Sequence, residues 1–152
     1  MSFAIDWWWP LQEEINTEFG FSRSREEVSS RLISRLYKPK GNLSSILSNK
    51  IVTIVGAGIT AEEEFITDGI KIAADGAVSA CLERNIIPEI IVTDLDGNLP
   101  EMVWANKKGS KIVVHAHGDN LSRLFEFSTE IQAISLTTTY PSSGTDCWGG
   151  FT

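Results

Sequence analysis

The 152-residue chain is 42% hydrophobic, enough for one domain with a proper core. Its 20 acidic against 13 basic side chains leave a net charge of −7, which argues against nucleic acid as a partner, since phosphate backbones select basic surfaces. Cys81 and Cys147 have neither metal-ligand spacing nor a disulfide framework, no apolar run reaches membrane length, and the N-terminal residues lack the basic start and apolar stretch of a signal peptide, so the expectation is a cytoplasmic protein away from membranes.

Residues 1–49 read as an N-terminal helical segment packing on the core, and 50–152 as an α/β nucleotide-binding domain. In RSREEVSSRLISRLY, Val28, Leu32, Ile33 and Leu36 recur at helical spacing, with Ser24 as N-cap and Glu27 completing a capping box. KPKGN, residues 38–42, breaks the helix. Trp7, Trp8 and Trp9 read as anchors onto the main domain, one of them at the contact of an expected homodimer.

From Lys50 short apolar runs alternate with amphipathic stretches. Strands are expected at 51–55, 70–74, 90–93, 111–114 and 131–136, and helices at 60–67, 76–86, 99–108 and 119–127. Continuously apolar strands, each followed by a helix, indicate a doubly wound, mainly parallel α/β sheet with its ligand site beyond the carboxyl ends of the strands. Four consecutive strand ends carry Gly56-Ala57-Gly58, Asp75-Gly76, Asp94-Leu95-Asp96-Gly97 and His115-Ala116-His117-Gly118-Asp119.

Asp94 and Asp96, two apart on an extended segment, reach the same side. Carboxylates that close need either a shared proton or a cation, and Mg²⁺ suits carboxylates combined with substrate phosphates. The competing reading is a solvated turn with helix-capping acids. VTDLDGN also matches the strand-Asp-x-Asp-Gly nucleophile of haloacid dehalogenase-type phosphatases, but Asn98 stands where that motif has Thr or Ser, and little chain follows. HAHGD resembles a dinuclear zinc motif, yet the chain has only 2 histidines, so His115 and His117 orient Asp119 or contact a substrate instead. GAGITA fits a Rossmann loop with Asp75 as its ribose acid, a reading that leaves Asp94, Asp96 and Asp119 unexplained.

The run KIAADGAVSACLERNIIPEIIVTDLDG resembles thiamine pyrophosphokinases. TDLDG combined with HAHGDN, IVGAG and the tryptophan-rich start resembles the archaeal 6-hydroxymethyl-7,8-dihydropterin pyrophosphokinases over nearly the whole chain. The resemblance implies transfer of diphosphate from ATP to the hydroxymethyl oxygen of a reduced pterin, with release of AMP. It implies that Asp94, Asp96 and Asp119 are the catalytic acids and hold one or two Mg²⁺ ions. Asp75 and Gly76 would line the nucleotide pocket or hold a metal-bound water, and the Gly56 to Gly58 loop would lie against ATP. Asn120 and His117, or His115, would contact substrate. Thiamine is the alternative acceptor, and a non-catalytic nucleotide-binding domain is the alternative of another class. Members of the family continue past CWGGFT with an acidic, glycine- and arginine-containing motif, so a missing C-terminal part is expected. Trp148 beside Gly149 and Gly150 is the candidate substrate loop, while Arg123 and Lys71 read as solvated cations near the rim.

Overall fold

A computed structural model describes residues 8–58 and 68–140. Its elements in chain order are α1 (Trp8–Phe19), α2 (Arg23–Leu36), α3 (Leu43–Leu47), β1 (Val52–Val55), β2 (Ile70–Ala74), α4 (Ala77–Glu83), β3 (Ile90–Thr93), α5 (Leu99–Lys107), β4 (Lys111–Ala116), α6 (Leu121–Phe127) and β5 (Ala133–Thr138). The helix expected at 60–67 lies outside the described residues, as do Trp7 and Trp148.

The five strands form one sheet in the order β1-β2-β3-β4-β5, and every pair is parallel. The expected doubly wound α/β class therefore holds, with helices on both faces. Their distribution is unequal for a topological reason. Right-handed crossovers that step in one direction along a sheet leave their helices on the same face. Accordingly Ala77, Val78 and Cys81 of α4, Met102, Val103 and Ala105 of α5, and Leu124 of α6 share one buried cluster, joined by Ile33 of α2 and by Tyr37. The opposite face buries Ile90, Val113 and Ile134 under Leu43, Ile46 and Leu47 of α3. Each large side chain fully withdrawn from water contributes about 1.5–3 kcal/mol, so the crossover face carries most of the stabilisation.

Three expectations about α2 are corrected. Its N-cap is Ser22 rather than Ser24, because Arg23 is already helical, and Ser22 makes no capping bond through its side chain. Glu27 closes no capping box, since Arg23 and Arg31, each four residues away, take its carboxylate. Nor does Val28 belong to the inward stripe: it is 49% exposed, whereas Glu26, Ser29 and Ser30 are buried with Ile33. The helix turns a polar patch inward because it faces backbone that needs a partner. Gly118, in the loop between β4 and α6, donates its N–H to Glu26 Oε1 at 2.8 Å. The break at 38–42 is present, and Asn42 then caps α3 by accepting the Ser44 N–H at 2.9 Å.

Candidate active site

Asp75 follows the last residue of β2, and Asp94 follows the last residue of β3. The register pairs Ala74 with Val92, which sets the Asp75 carboxyl beside the end of the neighbouring strand. There it accepts the hydroxyl of buried Thr93 and, through Oδ2, the backbone N–H of Asp94 at 3.0 Å. The Thr93 oxygen in turn accepts the Leu95 N–H at 2.8 Å.

The convergence of Asp94 and Asp96 differs from the extended arrangement expected. Leu95 lies in the left-handed region at φ 69°, a conformation that costs an L-residue about 1–2 kcal/mol. Its side chain is fully buried, so the turn is pinned into the core from below. Gly97 follows where space is scarce: a Cβ there would stand 3.2 Å from the Asp75 carbonyl carbon and 2.5 Å from Met102 Cε. Asn98 then caps α5 by accepting the Glu101 N–H at 3.4 Å.

The result is a cluster of Asp75, Asp94 and Asp96, with one carboxylate oxygen of each within 4.8 Å of the others. Its electrostatics record the crowding. Burial, reinforced by the Asp94 carboxylate, pushes Asp75 up to about 7. Asp96 is raised, first by its hydrogen bond with Asp94 and then by burial. Burial works against ionising Asp94 too, but hydrogen bonds with the Asp75 and Asp96 carboxyls and the nearby His117 hold it below the usual carboxylate range. The crowding concentrates negative charge on Asp94 and makes the carboxyls on either side harder to ionise. Asp94 Oδ1 is buried and has no hydrogen-bond partner among the described residues. An orphaned, ionised oxygen inside an all-oxygen donor set fits a hard divalent cation.

His117 leans on the cluster, with Nε2 at 3.3 Å from Asp94 Oδ2. Its Nδ1 accepts the Asp119 N–H at 3.3 Å, which assigns the proton to Nε2. His115 contacts Thr137 Oγ1 at 2.9 Å, and burial followed by the proximity of His117 lowers its basicity. Phe21, from the turn between α1 and α2, lies 6.5 Å from the His117 ring.

The remaining candidates separate. Asp119 is exposed, pairs with Arg25 at 3.7 Å and does not join the acid cluster. Asn120 is buried and spends its amide on backbone: Nδ2 donates to the carbonyls of Asp94 at 2.6 Å and His115 at 2.8 Å, and Oδ1 accepts the His117 N–H at 3.0 Å. It ties the end of β3 to the end of β4. Gly56 and Gly58 follow β1 with open space around them, and Gly76 opens α4 with its Cβ position 3.2 Å from Ala57 Cβ. Lys71 sits near the opposite, amino end of β2, paired with Glu89 at 3.3 Å. Trp9 stacks on Tyr140 with ring centroids 5.5 Å apart.

Three contributors were not legible as such: Thr93, the left-handed Leu95, and Arg123, whose Nη1 donates to the Leu95 carbonyl at 2.6 Å. A spacing signal for Arg123 existed, since it stands three residues after Asn120 and so on the same helical face.

The chain has relatives among known proteins. The chain is similar to curated proteins named 6-hydroxymethyl-7,8-dihydropterin pyrophosphokinase: 40% identical over 77% of its length to that of Pyrococcus furiosus, 36% over 84% to that of Methanocaldococcus jannaschii, and 35% over 95% to that of Methanothermobacter thermautotrophicus. The chain belongs to the 6-hydroxymethyl-7,8-dihydropterin pyrophosphokinase family. It spans 54%, 58% and 67% of the length of these relatives, respectively. No model of a known protein family matches it. No helix among the described residues is long and apolar enough to cross a membrane.

Proposed function

We propose that the chain acts as an ATP- and Mg²⁺-dependent diphosphokinase on 6-hydroxymethyl-7,8-dihydropterin. The observation that carries this reading is the convergence of Asp75, Asp94 and Asp96 around a buried, unpartnered Asp94 oxygen at the carboxyl end of a parallel sheet. The acceptor is taken from the names of its relatives.

In the reaction the hydroxymethyl oxygen bonds to the β-phosphorus of ATP and the bond from that phosphorus to the α,β-bridging oxygen breaks. AMP leaves with the bridging oxygen, and the hydroxyl proton is released. Asp75, Asp94 and Asp96 would hold Mg²⁺, with Asp75 in the place first expected for Asp119. The ion supplies neutralisation of phosphate charge, the main requirement of phosphoryl-type transfer. The side chains do the positioning. Asp94 presents its carboxylate, His117 Nε2–H orients its Oδ2, and Thr93 and the Asp94 N–H fix the Asp75 carboxyl. The open glycine loop after β1, Gly56 to Gly58, lies next to Gly76 and offers backbone to the nucleotide. Cytoplasmic location, freedom from nucleic acid, a homodimeric state and the division at residues 49 and 50 belong to the same reading.

The test is incubation of the chain with ATP, Mg²⁺ and either hydroxymethyl-dihydropterin or thiamine, following AMP. AMP released only with the pterin is the expected outcome. Release with thiamine alone reassigns the acceptor, and ATP binding without AMP from either leaves a nucleotide-binding module.

A further inference from the structure

We infer that Arg123 is a positioning residue for the acid cluster: its guanidinium holds the left-handed Asp94-Leu95-Asp96 turn in the conformation that brings the carboxylates together. Leu95 at φ 69° has no intrinsic preference for that conformation, so its neighbours must enforce it. The four backbone groups of Asp94 and Leu95 are each taken by a different side chain. Asp75 takes the Asp94 N–H, Thr93 takes the Leu95 N–H, Asn120 takes the Asp94 carbonyl and Arg123 takes the Leu95 carbonyl.

The last two come from one helix. Asn120 and Arg123, three residues apart, grip consecutive carbonyls, each at 2.6 Å. Their consequences differ. Asn120 is buried and also ties β3 to β4, so its loss would disturb the sheet end in general. Arg123 is exposed and reaches the turn from outside, and its one hydrogen bond to protein among those recorded for the described residues is to the turn itself. Removing it frees Leu95 to relax without opening the core. A side chain that orients ligands without touching the ion commonly changes affinity by about 10–100-fold.

The inference rests on the reading that the cluster binds a divalent cation, and the experiment separates the two. Mn²⁺ is titrated by electron paramagnetic resonance into the unaltered chain, Arg123→Ala and Arg123→Lys, with amide hydrogen exchange at residues 94–97 and thermal unfolding followed alongside. Expected are an affinity weaker by about 10-fold or more in Arg123→Ala, partial recovery in Arg123→Lys, which keeps a donor, and faster exchange confined to 94–97. The unfolding temperature should drop by no more than about 3 °C. Affinity within about twofold of the unaltered chain, or exchange that accelerates equally across the sheet, overturns the inference. If the alanine variant does not fold, Arg123→Met, which keeps the apolar stem without a donor, is judged by the same outcomes. If the unaltered chain binds no Mn²⁺, the metal reading fails, while exchange at 94–97 still decides whether Arg123 holds the turn.

Discussion

The carboxylate of Asp75 accepts the backbone N–H of Asp94, 19 residues later, at 3.0 Å, and so belongs to the turn at the end of β3 as much as to its own strand. An acid at one strand end becomes part of the scaffold for the acids at the next.

That double role gives Asp75→Asn a split outcome. The amide oxygen can still accept the Asp94 N–H, so the fold survives, and one crowded acid is gone. Thermal unfolding without divalent ions should therefore be unchanged or slightly improved. Mg²⁺-induced stabilisation and AMP release should both fall, the latter by about 100-fold or more, on the scale of losing one charge-stabilising group. A protein that keeps both would remove Asp75 from the ligand set.

Stability should also depend on pH in a direction opposite to ordinary acid denaturation. Asp75 is raised from the usual carboxylate value of roughly 4 to about 7 in the fold. Between those values the native state binds the extra proton, so stability decreases as pH rises through that window. Mg²⁺ competes with that proton, so its stabilising effect should grow from pH 5 to 8 as the proton leaves. Urea midpoints at the two pH values, with and without Mg²⁺, measure this. A midpoint without Mg²⁺ that rises steadily toward pH 7 would contradict the Asp75 assignment.

Asp119 provides the contrast. It lies outside the cluster and pairs with Arg25 on the surface, an interaction worth at most about 1 kcal/mol. Asp119→Asn should change divalent-ion affinity by about twofold at most, whereas Asp94→Asn should abolish binding, as expected of a group that ligates directly rather than one that only supports the ligands. Calorimetric titration of both variants distinguishes the set Asp75, Asp94 and Asp96 from the set with Asp119.

Gly97→Ala tests the tightness of the turn. The added methyl meets Asp75 backbone and the end of Met102, and only the methionine can swing away. A loss of about 1–3 kcal/mol in chemical unfolding is expected for such overpacking, together with weaker Mg²⁺ binding. Unchanged stability would mean that Asp75 yields easily.

Tyr37 checks the attachment of the helical segment. Its buried hydroxyl donates to the Leu124 carbonyl at 3.1 Å, and burial pushes it up to about 12. Tyr37→Phe leaves a packed ring and one unmet carbonyl, so a loss of about 1 kcal/mol is expected, with no change in the Mg²⁺ titration. In the unaltered protein the ultraviolet signal of this tyrosine should not titrate below about pH 11, one unit under its raised value.

All five strands were legible, each to within two residues of its observed ends, because buried parallel strands are short apolar runs whose signal is local. The polar strand ends were legible for the same reason, and with them Asp75, Asp94 and Asp96. Helix α2 shows where local reading fails: a stripe through Val28 is the better amphipathic pattern, but Glu26 turns inward because a glycine N–H from a loop 92 residues away needs an acceptor. No window along the chain contains that information.

The sequence by itself determined the parallel sheet, the family and the acids at the strand ends, all properties of residues close together in the chain. Tertiary structure alone decided which acids meet. Asp75 entered the cluster through register with β3, Asp119 left it for Arg25, and Leu95 was held in a conformation that its own chemistry does not favour. Those outcomes follow from hydrogen bonds between distant segments, whose partners only folding brings into reach.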